Sequence, residues 1–254
     1  MKVFEFLFSP TGGTKRVSGA ILNTFGEDVE TIDLTDGSVD FSGVAVGAED
    51  VCVVSVPSYG GRVPAPAVSR LALVNGNGAK AILVAVYGNR HYDDTLLELQ
   101  DVLKQAGFKP VAAIAAIAEH SVMNSFAAGR PDAQDLAELE AYAEKIWAAV
   151  QNGQIQEELT VPGNRPYKEY NGLPLKAAAD EACGKCGMCV AQCPVGAIPA
   201  EDPSTTNNEL CITCMRCIQI CPNNARSINQ QIVAAFTEKL APICSVRKNN
   251  ELFL

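Results

Sequence analysis

The sequence predicts an α/β protein in two parts: a doubly wound, five-stranded parallel sheet over residues 1–152, and a small α+β unit rich in cysteine over residues 179–228. Three observations carry this expectation. Up to Asn152, short apolar runs alternate with amphipathic stretches, which is the rhythm of βαβ units. Residues 153–178 lose apolar periodicity and fill with turn-forming residues. Beyond Asp180 the cysteines crowd together in a repeated pattern.

The elements follow in order. Runs at residues 2–8, 29–34, 50–56, 79–87 and 109–118 read as strands, several of them apolar on both faces as parallel strands covered on two sides should be. Helices are expected to begin near Thr14, Pro64, Asp93 and Pro131. The last carries Leu136, Leu139, Ala143, Ile146 and Val150 at helical spacing behind Pro131 and Asp132. Pro162-Gly163-Asn164-Arg165-Pro166 and Asn171-Gly172-Leu173-Pro174 mark residues 153–178 as a linker or wrapping segment. Residues 229–254 read as a helix, over 229–240, and a tail to which the sequence attaches no function.

A formal charge of −9 repels phosphate backbones and anionic membranes, so nucleic acid is not an expected partner. The longest apolar run, residues 111–118, falls far short of the roughly 20 residues that span a bilayer. The apolar run at 1–8 leads into Ser9-Pro10 without a signal-peptide cleavage site. A cytoplasmic protein without membrane insertion is therefore expected, and in a reducing compartment its 10 cysteines point to metal or redox chemistry rather than disulfides.

Spacing narrows that choice. Cys183-x2-Cys186-x2-Cys189-x3-Cys193-Pro194 recurs as Cys211-x2-Cys214-x2-Cys217-x3-Cys221-Pro222, and both match the bacterial ferredoxin run that holds [4Fe-4S] clusters. Three cysteines at three-residue steps let a loop fold around one cubane with each thiolate on a different iron; the fourth iron needs a ligand from elsewhere. The competing reading is two structural zinc sites of four cysteines each. The runs contain no histidine and have no natural partition into two local zinc knuckles. Cys52 and Cys244 have no motif around them and are expected to be packing thiols.

The first strand ends in Ser9-Pro10-Thr11-Gly12-Gly13-Thr14-Lys15, immediately before a helix. Hydroxyls of Ser9, Thr11 and Thr14, the amides of Gly12 and Gly13 and the helix N-terminus suit a phosphate. Neither a Walker A loop nor G-x-G-x-x-G is present. Two more loops follow the third and fourth strands, where ligands of open α/β sheets sit: Pro57-Ser58-Tyr59-Gly60-Gly61-Arg62 and Tyr87-Gly88-Asn89-Arg90-His91-Tyr92-Asp93.

The first loop resembles the flavodoxin pattern Thr/Ser-x-Thr-Gly-x-Thr, and with the paired cysteine runs the chain resembles flavodoxin/ferredoxin fusion proteins of anaerobes. The resemblance implies strand order 2-1-3-4-5 and an FMN whose phosphate sits on Ser9, Thr11, Gly12, Gly13 and Thr14. It implies that Pro57, Ser58, Tyr59, Gly60 and Gly61, with Gly88, Asn89, Arg90, Tyr92 and Asp93, enclose the ring, Tyr59 and Tyr92 stacking on it. The only tryptophan, Trp147, lies outside both loops. It further implies crossed ligand sets for two [4Fe-4S] clusters: Cys183, Cys186, Cys189 and Cys221 on one, Cys211, Cys214, Cys217 and Cys193 on the other. The expected function is to relay low-potential electrons between clusters, FMN and redox partner proteins. The alternative is an FMN-dependent reductase of a bound small molecule, with His91 and His120 as proton sources.

Overall fold

The computed structural model describes residues 1–26 and 28–254. Its first part alternates strand and helix: β1 (Val3–Leu7), α1 (Gly13–Leu22), β2 (Val29–Asp33), β3 (Val51–Pro57), α2 (Ala65–Leu71), β4 (Lys80–Tyr87), α3 (Thr95–Gln105), β5 (Lys109–Ile117) and α4 (Ala133–Gln151). Every strand end lies within one residue of its expected position. The five strands pair in parallel in the order 2-1-3-4-5.

Alternation along the strands builds two cores. Phe4 and Phe6 of β1 pack with Leu71, Leu83 and Leu96 on one face, while Val3 joins Val17, Ile21, Ile82, Ile114 and Ile146 on the other. The central strands β3 and β4 are covered on both sides, which is why they read as nearly continuous apolar runs. Asp132 opens α4 with a reciprocal cap: it accepts from the Gln134 and Asp135 N–H groups, and Asp135 accepts from the Asp132 N–H.

Residues after α4 wrap the body. Leu159 and Val161 are buried in the first core, and the Gln100 side chain donates to the Leu159 carbonyl at 2.7 Å. Asp94 accepts from the backbone N–H groups of Asn164 and Lys168, so the segment is stitched to the start of α3. The chain continues through β6 (Ala178–Ala179), α5 (Met188–Ala191), α6 (Arg216–Gln219) and β7 (Arg226–Ser227), with β6 and β7 antiparallel.

The C-terminal segment departs from expectation. Helix α7 (Gln230–Cys244) runs longer than residues 229–240, and the tail forms β8 (Glu251–Phe253), a sixth strand antiparallel to β5. The five-stranded expectation is thus extended by one: the tail covers the β5 edge, and Asn250 accepts from the Ile117 N–H at 3.0 Å. No helix among the described residues is long and apolar enough to cross a membrane.

Candidate functional site

The carboxyl ends of β1, β3 and β4 open on a cavity of ≈ 270 Å³ lined by Thr11, Gly13, Thr14, Pro57, Ser58, Tyr59, Gly60, Gly88 and Arg90. The first loop is prepared for an anion. Gly12, in the left-handed region at φ 88°, leads into α1 without a side-chain cap, and the first turn carries no acidic residue. The Lys15 N–H is spent on Ser9 Oγ at 3.0 Å, but among the described residues the N–H groups of Gly13 and Thr14 donate to no protein acceptor. Two free amides at a helix N-terminus fit the phosphate of FMN.

The opposite wall comes from the rest of the chain: Tyr170, Leu173 and Leu175 of the wrapping segment, Ile212 and Thr213 between two cysteines, and Phe236, Lys239 and Leu240 of α7. Sequence reasoning missed Tyr170. Its ring lies directly on Gly60, where a Cβ would stand 2.1 Å from Tyr170 Cδ2, and Gly60 also has φ +62°. Both facts demand glycine there. The one available signal was a pair of tyrosines, Tyr167 and Tyr170, in a stretch of proline, glycine and asparagine.

Six expected ring or phosphate residues do not line the cavity. Tyr92, expected to stack, is buried, packs edge-on against Tyr87 at 5.3 Å and donates its hydroxyl to Glu251 of β8. Asn89 donates its amide to the carbonyls of Cys244 and Val246, tethering the tail. Asp93 pairs with Arg90 and Lys168, and Gly61 packs on Asp93. Ser9 holds the loop, its own N–H donating to Thr35 Oγ1 at 2.8 Å. A strand-end tyrosine and a loop asparagine look alike whether they meet a ligand or a distant stretch of their own chain. Gly12 borders an adjoining open groove, not the cavity.

The eight motif cysteines divide between two smaller cavities. Cys183, Cys186, Cys189 and Cys221 line one; Cys193, Cys211, Cys214 and Cys217 line the other. The two runs adopt matching backbones: Lys185 and Thr213, and likewise Gly187 and Met215, have positive φ at equivalent positions. The N–H groups of Ala197 and Ala225, each four residues beyond the distal cysteine, donate to Cys193 and Cys221 Sγ at 3.3 Å. Four thiolates on one zinc ion all lie about 2.3 Å from a single point, whereas on a cubane each meets a different iron. Among the described residues no group of three or more His, Cys, Asp or Glu could hold a single metal ion. Both quartets have the chemistry and surroundings of cubane ligands. Cys52 and Cys244 are buried elsewhere among apolar side chains.

Residues 182–226 match the family model described as a 4Fe-4S dicluster domain. The chain therefore joins a flavodoxin-type fold to a 4Fe-4S dicluster domain. None of the curated proteins matches it in sequence. Among solved structures, the Streptococcus pneumonia TIGR4 flavodoxin is similar at 20% identity and a TM-score of 0.41, covering 58% of this chain and 97% of its own. The two-electron reduced Megasphaera elsdenii flavodoxin is similar at 20% identity and 0.40, covering 56% and 98%. Rubredoxin oxygen:oxidoreductase from Desulfovibrio gigas gives 15% and 0.44, with 60% of this chain matching 37% of that one. The fold rests on the hydrogen-bonded ladders of the sheet, independently of these likenesses.

The dicluster domain is bound to the flavodoxin-type part through its second cysteine run. Arg216, between Cys214 and Cys217, donates to the Pro10 carbonyl of the first loop at 3.2 Å. Tyr59 and Tyr170 line one cavity, and burial pushes the Tyr59 phenol well above its ordinary pKa.

His120 lines the same cavity, and burial pushes its imidazole down to about 4, with the positive Arg90 acting in the same sense. Its Nδ1 accepts from the Val122 and Met123 N–H groups at 3.2 Å, leaving Nε2 to carry the proton. Above the ordinary imidazole value of 6.5 the neutral ring suits both folded and unfolded chains. Between 6.5 and about 4 the unfolded chain takes a proton that the folded one refuses. Stability is therefore expected to fall by about 3 kcal/mol as pH drops through that window. Urea midpoints across it should be flatter for His120→Gln than for the parent; equal slopes would remove His120 as the cause.

Proposed function

We propose that this is an electron-transfer flavo-iron-sulfur protein, in which two [4Fe-4S] clusters and one FMN make a relay to redox partner proteins in the cytoplasm of an anaerobe. One observation carries the reading. Ile212 and Thr213, held between Cys211 and Cys214, line the same cavity as Thr11, Tyr59 and Gly60. FMN, when bound, exchanges electrons singly or in pairs, while each cluster exchanges one at a time.

The chain's own residues do the rest. The Gly13 and Thr14 amides hold the phosphate, Tyr59 and Tyr170 flank the ring, and Leu173, Leu175, Phe236 and Leu240 keep water from it. Cys193, Cys211, Cys214 and Cys217 form the set beside the flavin. Cys183, Cys186, Cys189 and Cys221 form the outer one, and Cys186 is the one exposed cysteine of the eight, so external electrons cross there. The reductase alternative is weaker: His120 is a neutral ring with a depressed pKa, and His91 lies outside the cavity, so neither is a ready acid.

An EPR and visible redox titration of anaerobically purified protein tests this. Two cubane signals and one flavin are expected, with electrons delivered to several acceptors; colourless or zinc-loaded protein overturns the reading. Saturable turnover of one small molecule would favour the reductase instead.

A further inference from the structure

Arg226 on β7 is buried at 3% exposure, yet no carboxylate among the described residues pairs with it. Its guanidinium donates to the carbonyl of Pro203 at 2.5 Å, to those of Ala177 at 3.1 Å and Thr205 at 3.2 Å, and to Thr206 Oγ1. Its Nε is buried with no partner. Carbonyl dipoles orient a cation but do not neutralise it, and a buried charge without a counter-ion is costly. Something negative belongs beside it.

The side chain lies where the two cysteine quartets meet. It lines the cavity of the outer quartet, with Nη1 3.8 Å from Cys189 Sγ. It also reaches the inner quartet through the fold: β7, which carries Arg226, packs against α6, which carries Cys217. Resting on the reading that both quartets hold clusters, we propose that Arg226 is their shared counter-ion and the residue that sets their potentials. One-electron reduction makes a cluster one unit more negative, so a fixed cation between the two stabilises the reduced form of each. The outer cluster, whose cavity Arg226 lines, feels this most. With no solvent around it the guanidinium is screened little by salt.

The test compares wild-type protein with Arg226→Gln and Arg226→Lys by iron and sulfide analysis and by EPR-monitored potentiometry, none of which requires turnover. Arg226→Gln should lower both midpoint potentials, the outer cluster's more, and Arg226→Lys should restore part of the shift. Loss of clusters from Arg226→Gln with retention in Arg226→Lys would equally support the charge. Intact clusters with unshifted potentials would overturn the proposal, as would equal cluster loss in both variants, since the lost contacts to Pro203, Ala177 and Thr205 would then explain it. Wild-type protein without cubanes would instead overturn the cluster reading itself.

Discussion

Replacing Cys193 with alanine is expected to remove the cluster of the second cysteine run while sparing that of the first, although Cys193 belongs to the first run. It shares a cavity with Cys211, Cys214 and Cys217, and the Ala197 N–H fixes its Sγ there. Cys221→Ala should do the reverse. Iron and sulfide per chain should fall by half in each case, with a different EPR signal lost. If Cys193→Ala erased the signal of Cys183, Cys186 and Cys189 instead, the ligand sets would be uncrossed. The consequences reach the flavin. Because Ile212 and Thr213 join the inner quartet to the cavity proposed for FMN, Cys193→Ala should stop a low-potential donor from reducing the flavin through the clusters. Cys221→Ala should leave the inner link in place. The dicluster unit buries few large side chains, so losing a cluster should also loosen it.

How much of this was legible in the sequence depends on the range of the interaction. Strands such as β3 and β4 announce themselves because both their faces are buried, and the cysteine runs because cluster geometry fixes their spacing locally. The first loop could be read because strand, glycines and helix N-terminus adjoin in sequence. The far wall could not be. Tyr170, Phe236 and Lys239 reach the cavity from segments whose local pattern is a turn-rich stretch and an ordinary amphipathic helix. The three-residue β8 is too short to show a period, and its pairing with β5 is a contact across more than a hundred residues. The same non-local contacts explain Asn89 and Tyr92, which look like ring-loop residues but hold the tail.

That tail is the subject of the second large effect: Arg130→Leu is expected to cost about 3–5 kcal/mol and to weaken FMN binding, because it strands a buried charge and unpins the C-terminus together. Arg130 and Asp135 are 5% and 1% exposed and form a two-pronged pair, with Nε to Oδ2 at 2.7 Å. Removing the guanidinium leaves Asp135 with Arg247 at 3.2 Å and the Asp132 N–H as its remaining partners. It also removes the 2.9 Å bond from Arg130 to the Lys248 carbonyl. Lys248 in turn holds the Arg90 carbonyl on the cavity loop. With the Arg130 bond gone, residues 245–250 hold α7 less firmly, through Asn89 and Arg247, and α7 carries Phe236, Lys239 and Leu240 to the cavity wall. Denaturant unfolding should show the stability loss, and flavin fluorescence titration the weaker binding, with both cluster signals unchanged. Arg130→Leu combined with Asp135→Leu should recover much of the stability, since an apolar pair replaces a buried ion pair at little cost. Flavin affinity should stay low in that double variant, because the Lys248 tether is still missing; recovered affinity would mean that the tail does not close the cavity.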